Sequence, residues 1–133
     1  MMTAANPRIQ PTGSIRIKNL RLRCRVGLNP EEQEKRQDIV VNVTAEVNLA
    51  SVLRTDRLDQ SLNYRTLCKQ IIERVETSQF QTLESLAGSI AELMTRTPAL
   101  LSGKVQVDKP HALRFADSVS VSLNVAPEFK TDA

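Results

Sequence analysis

Lys109 stands where an alternating apolar run ends and a cationic loop begins, in Val107-Asp108-Lys109-Pro110-His111-Ala112-Leu113-Arg114-Phe115-Ala116-Asp117-Ser118-Val119-Ser120-Val121. The chemistry open to a lysine so placed is proton transfer. A strand end is a rigid support, and an ammonium partly removed from water gives up its proton more readily than a solvated one. The other reading of the same residue is a solvated edge charge that discourages sheet-to-sheet association. Three more side chains have comparable potential: Glu32 in Gly27-Leu28-Asn29-Pro30-Glu31-Glu32, Tyr64 in Leu62-Asn63-Tyr64-Arg65-Thr66, and Glu84 in Leu83-Glu84-Ser85-Leu86-Ala87. The tyrosine hydroxyl donates or accepts a proton, and each carboxylate offers two acceptor oxygens. Each also has an ordinary explanation: a loop charge, a helix-start residue with its hydroxyl in water, and a carboxylate favoured by a helix N-terminus.

Composition removes several other classes of chemistry. One histidine and two separated cysteines, Cys24 and Cys68, leave few ligands for a transition metal, and no metal site is expected. GxGxxG, P-loop and GxSxG patterns are absent from the sequence, which removes the usual dinucleotide, nucleotide-hydrolysing and serine-hydrolase signatures. The net charge of +3 is made of interspersed rather than blocked charges, and aromatic residues are only 3%, so nucleic acid is not an expected partner. No apolar run is long enough for a membrane span, and Met1 to Gly13 has no hydrophobic signal core. The two cysteines have neither CxxC spacing nor a disulfide pattern, so free thiols in a reducing cytoplasm are expected.

The elements that must position these side chains can be read from periodicity. At 133 residues and 41% apolar content the chain fits one domain, expected over residues 14–126 between a flexible N-terminus, 1–13, and a flexible C-terminal tail, 127–133. Ile15 and Ile17 alternate in one phase and Leu20, Leu22, Cys24 and Val26 in the other, which predicts a strand with a bulge near Lys18 and Asn19. A polar segment, 27–36, leads to a second strand with Ile39, Val41, Val43, Ala45, Val47 and Leu49 on one face. After a connection over 50–61, Leu67, Ile71 and Val75 predict a helix capped by Asn63. Leu83, Leu86, Ala87, Ile90, Leu93 and Met94 predict another, capped by Thr82 and ended by Pro98. Val105 and Val107 make a third strand, and Val119, Val121, Leu123 and Val125 a fourth. The expected fold class is α+β, order ββααββ: a four-stranded antiparallel sheet with two helices on one face. Its open edges invite oligomers.

These segments, in this order, resemble the dihydroneopterin aldolase and dihydroneopterin triphosphate epimerase family from about Ile15 to Val125. The likeness is carried by IRIKNLRLR at Ile15 to Arg23, RQDIVVNV at Arg36 to Val43, and most specifically LNYRT at Leu62 to Thr66 and DKPHALRFADSVS at Asp108 to Ser120. The epimerase branch is the nearer one, although the Gly27 to Glu32 loop looks more like the aldolase pattern. The resemblance implies the tunnelling fold (T-fold), in which subunit sheets join into a barrel. It also implies a homo-oligomer, usually an octamer of two stacked rings, with active sites between subunits.

It further implies roles: Lys109, Tyr64 and Glu32 catalytic, with Tyr64 reaching the site from a neighbouring subunit, and Glu84, beside Leu83, anchoring the pterin. Both Glu84 oxygens would meet the ring amide and exocyclic amine in a bidentate fork. The reaction implied is retro-aldol cleavage beside a reduced pterin ring. The ring's own imine is the electron sink, so no cofactor and no Schiff base are needed. Release of the aldehyde makes an aldolase, giving 6-hydroxymethyl-7,8-dihydropterin and glycolaldehyde. Re-addition to its other face makes an epimerase, converting 7,8-dihydroneopterin triphosphate to 7,8-dihydromonapterin triphosphate. Epimerisation is the expected activity, with aldolase the alternative and a non-catalytic pterin-binding protein the third reading. Arg114, His111, Arg23 and Arg65 are the candidate tethers for a triphosphate, and His111 can equally tune Lys109 or pack.

Overall fold

The computed structural model describes residues 6–128. Its strands are β1 (Thr12–Val26), β2 (Gln37–Asn48), β3 (Gln79–Phe80), β4 (Leu100–Pro110) and β5 (Ser118–Val125). Its helices are α1 (Pro30–Glu34), α2 (Ala50–Thr55), α3 (Tyr64–Thr77) and α4 (Leu83–Thr95), with a 3-10 turn at Leu58–Gln60. The sheet order is β3-β1-β2-β4-β5. All neighbours are antiparallel except β3, which runs parallel to β1. The expected four antiparallel strands are therefore joined by a fifth. β3 is two residues long and too short for periodicity to reveal. The segments expected as plain connections hold α1, α2 and the 3-10 turn.

The sheet buries one face. Ile39, Val41, Val43, Ala45 and Val47 alternate inward along β2, with Leu22, Cys24 and Val26 from β1 and Val105 and Val107 from β4 beside them. Each buried valine, leucine or isoleucine among them contributes about 1.5–3 kcal/mol relative to an exposed one. Helix α3 closes this face over β1 through Leu67, Ile71 and Val75, and α4 over β4 and β5 through Leu86, Ala87, Ile90 and Met94. Gly103 lets α4 approach closely, because a Cβ there would lie 2.7 Å from Met94 Cε. Leu49, expected on the β2 face, instead precedes α2 and is half-buried.

The bulge falls where the phase slip predicts it. The β1–β2 register shifts between Ile17 and Leu20, and Asn19 is left-handed at φ 54°. The Asn42 carboxamide accepts from the displaced Asn19 N–H at 2.8 Å, so the amide that leaves the ladder keeps a partner. Both helix caps also match: the Asn63 side chain accepts from the N–H groups of Arg65 and Thr66, and that of Thr82 from Ser85.

The ends differ from the expected boundaries. β1 begins at Thr12, inside the stretch read as N-terminal tail, and Leu49 N–H donates to the Pro11 carbonyl at 2.6 Å. Glu128 N–H donates to Thr95 at 3.0 Å. The rest of the two tails, 1–5 and 129–133, lies outside the described residues.

Candidate active site

Lys109 continues the inward column of Val105 and Val107 one step past the edge of the core. Its stem is therefore sheltered while its ammonium reaches the rim, and the side chain is 15% exposed. Nζ donates to Glu32 Oε2 at 2.6 Å and to the Val26 carbonyl at 3.2 Å. An ammonium carries three donors, so one remains for a ligand. Of the two sequence readings, the solvated edge charge is the one this geometry contradicts.

Glu32 arrives from the polar segment through a short helix with a capping box. Asn29 Oδ1 accepts from Glu32 N–H at 2.9 Å, Glu32 Oε1 accepts from Asn29 N–H at 3.4 Å, and Pro30 opens the helix. The hydrogen bond from Lys109 holds the Glu32 carboxyl below the usual carboxylate range, against the opposing cost of its partial burial and with help from the Asn29 N–H. Gln37 ties the assembly to β2, donating Nε2 to the Val26 carbonyl at 2.9 Å and to the Glu32 carbonyl at 3.4 Å. Gly27 sits at φ 145°, and a Cβ there would overlap the Glu32 side chain. These supporting groups escape a search for titratable residues. The pattern Asn29-Pro30-Glu31-Glu32 is nevertheless a legible cap signal.

The N-terminus of α4 lies at the same end of the sheet. Val26 pairs with Phe80, Gly27 N–H donates to the Phe80 carbonyl at 3.0 Å, and Thr82 caps α4 two residues later. Glu84 is exposed in the first turn of that helix. Leu83 is packed in the core, which leaves its backbone rather than its side chain to meet a ligand.

The remaining residues divide. His111 and Arg114 follow Lys109 directly in the exposed loop before β5. His111 is left-handed at φ 61° and donates its N–H to the Asp117 carbonyl at 3.1 Å, while the Arg114 guanidinium lies 5.4 Å from the Phe115 ring centroid. Arg23 alternates with buried Leu22 and Cys24, so it faces the open side of the sheet, away from Lys109. There it meets Asp38 at 3.5 Å and donates to the Arg36 carbonyl at 3.0 Å. Tyr64 and Arg65 line a cavity with Ile17. Ile17 precedes Val26 by most of the length of β1, on the order of 25–30 Å at about 3.3 Å per residue. One chain therefore brings together Lys109, Glu32 and the start of α4, but not Tyr64.

Cys24 and Cys68 are both free thiols. Burial pushes the Cys24 thiol up to about 11, against the weaker opposing pull of Arg25 and Arg36, so it stays protonated. Among the described residues, no three His, Cys, Asp or Glu side chains are grouped to hold a metal, and no helix is long and apolar enough to cross a membrane.

Sheet, helix pair and a lysine–carboxylate contact at the strand ends define a small α+β protein with a candidate acid–base couple at one rim. The family model for dihydroneopterin aldolase (FolB) matches residues 15–124, and the chain belongs to that family. It is 42% identical over 118 residues to a dihydroneopterin triphosphate 2'-epimerase of Pseudomonas aeruginosa, covering 88% of this chain and 96% of that one. It is 43% identical over 115 residues to the Escherichia coli protein of the same name, covering 86% and 96%. The crystal structure of E. coli dihydroneopterin aldolase in complex with neopterin superposes with a TM-score of 0.77 at 22% identity, covering 84% of this chain and 97% of that one. The tunnelling fold expected from the sequence is thus the fold of the chain.

Proposed function

We propose that the protein is an enzyme that epimerises 7,8-dihydroneopterin triphosphate to 7,8-dihydromonapterin triphosphate. Cleavage of dihydroneopterin to 6-hydroxymethyl-7,8-dihydropterin and glycolaldehyde is the second reading, supported by the family to which the chain belongs. The observation that carries the acid–base chemistry is the 2.6 Å contact between Lys109 and Glu32. The identity above 40% to two epimerases directs the choice of product.

In this reading Glu84 and the backbone beside Leu83 bind the pterin. The side-chain hydroxyl gives up its proton as its C–O becomes a carbonyl. The adjoining carbon–carbon bond breaks, and its electron pair enters the ring imine, whose nitrogen takes a proton. Lys109, Glu32 and Tyr64 carry those protons, help that typically contributes ~10² to 10⁴-fold in rate. Return of the pair to the other face of the retained aldehyde inverts the hydroxyl carbon. Arg114, His111, Arg23 and Arg65 are the candidate phosphate tethers that keep the aldehyde in place.

The same reading includes a homo-oligomer, an octamer of two rings, with Tyr64 entering from a neighbouring subunit. Two features support it: β5 has no outer neighbour, and β3 covers only Arg25 and Val26 of β1. A cytoplasmic location accords with the two free thiols. The test is chromatography of products from dihydroneopterin triphosphate and from dihydroneopterin. Predominant monapterin from the triphosphate supports the epimerase. Predominant hydroxymethyl dihydropterin from the unphosphorylated substrate makes the protein an aldolase, and pterin binding without turnover makes it a binding protein.

A further inference from the structure

We infer that Gln37 is a positioning residue of the acid–base couple, holding in place both acceptors of the Lys109 ammonium. It acts through Lys109 and Glu32. The inference rests on the proposed reaction, in its epimerase or its aldolase form, since both need the cleavage step.

Lys109 Nζ meets Glu32 Oε2 at 2.6 Å and the Val26 carbonyl at 3.2 Å. Gln37 Nε2 carries two hydrogens, and it donates to the same Val26 carbonyl at 2.9 Å and to the backbone carbonyl of Glu32 at 3.4 Å. One amide thus reaches both residues that the lysine reaches. These carbonyls need it because of where their elements end. Cys24 and Gln37 form the last pair of the β1–β2 ladder, so the Val26 carbonyl lies past that ladder. The Glu32 carbonyl belongs to a five-residue helix, where intrahelical donors run out. Both bonds are partly buried, and sheltered backbone acceptors of this kind require a partner.

The Val26–Gly27 peptide plane carries the positioning further. Its carbonyl accepts from Lys109 and Gln37, and its N–H donates the other way, to the Phe80 carbonyl at 3.0 Å. Thr82 caps α4 two residues after Phe80, and Glu84 lies in the first turn of that helix. The tilt of this one plane therefore relates the lysine to the helix that carries the proposed pterin anchor. Gly27 follows at φ 145°, a conformation open to glycine, so the chain beyond the plane gives it little restraint of its own. Gln37, rooted at the first residue of β2, supplies that restraint from the sheet.

The experiment compares wild type with Gln37→Met, which keeps the length of the side chain without its N–H groups, and Gln37→Glu, which turns an oxygen towards the two carbonyls. Both variants are expected to lower kcat at least tenfold while KM for dihydroneopterin triphosphate and for dihydroneopterin stays within about twofold. In a Lys109→Ala background the same substitutions should change the residual rate less than about twofold, because a residue that works through the lysine then has nothing to position. An equal loss in both backgrounds, a rise in KM without a fall in kcat, or full activity overturns the inference. A second measurement needs no turnover: labelling of Lys109 by acetic anhydride, followed by peptide mass spectrometry with the exposed Lys18 and Lys104 as internal standards. Release of the ammonium from its fixed acceptors should speed labelling of Lys109 at least threefold in Gln37→Met and in Gln37→Glu, and an unchanged rate in both overturns the inference. If wild type turns over neither pterin, the proposed reaction fails, and the labelling still decides whether Gln37 holds Lys109 in place.

Discussion

The Glu32 carboxylate bonds Lys109 Nζ through Oε2 at 2.6 Å and the Asn29 N–H through Oε1 at 3.4 Å. One side chain thereby fastens a five-residue helix to the end of β4. Because the folded state lowers the Glu32 pKa, this contact stabilises fully above the ordinary glutamate value of about 4.3 and is lost as pH falls through the lower folded-state value. Urea unfolding of wild type and Glu32→Gln should therefore show a constant difference near neutrality that shrinks only at acid pH. Glutamine keeps an acceptor for Asn29 and lacks the charge, so a difference that persists at pH 3 would mean the pairing with Lys109 is not its source.

Asn29 caps the helix that carries Glu32, its Oδ1 accepting from the Glu32 N–H at 2.9 Å and its own N–H donating to Glu32 Oε1 at 3.4 Å. Asn29→Ala should cost about 1 kcal/mol of stability through the lost cap and lower kcat several-fold as Glu32 loses its anchor. Asn29→Asp, which can also cap, should recover both. Thermal unfolding and steady-state kinetics check the pair, and a loss of stability with full kcat would reduce Asn29 to a structural cap.

Gly27 is constrained twice, by a φ of 145° and by the Glu32 side chain occupying the space of a Cβ. Gly27→Ala should cost on the order of 1–3 kcal/mol in backbone strain and displace the carboxylate from Lys109. The expected result is a kcat at least tenfold lower with the KM for pterin little changed, since Glu84, the proposed pterin anchor, lies on a different element. Wild-type kcat in a destabilised variant would show that the carboxylate finds its place without this glycine.

Much of this was legible in the residues. The slip between Ile17 and Leu20 announced the bulge, and Asn63 and Thr82 announced the helix starts, because these signals are local. The two-residue β3 carries no period of its own; it pairs with β1 because α3 delivers Gln79 and Phe80 beside Arg25 and Val26. The candidate residues Lys109, Glu32, Tyr64 and Glu84 stood out by type, whereas the contact between Lys109 and Glu32 is a distance that only the fold supplies. Nearness in sequence also hides the alternation of a strand, which turns Arg23 to the open face while Leu22 and Cys24 point inward. The Val26 carbonyl and Gln37 carry no titratable signal, so only the fold reveals that they hold the lysine.

The separation of Tyr64 from Lys109 within one chain leads to the most discriminating expectation. Lys109→Ala should bind pterin and lose ~10² to 10⁴-fold in kcat, and Tyr64→Phe should be similarly impaired. Sites that take Lys109 from one subunit and Tyr64 from another can be rebuilt from two defective parents. When equal amounts of the variants are unfolded together and refolded, about a quarter of the sites in a randomly mixed ring should hold one intact residue from each parent. Activity should therefore rise towards a quarter of wild type, while refolding each variant alone restores none. Separate rather than joint refolding before mixing controls for additive residual activities. If joint refolding gives mixed oligomers by native mass spectrometry yet no gain in rate, Tyr64 does not act across the interface, and the exposed tyrosine beside Ile17 must be read as a contact residue instead.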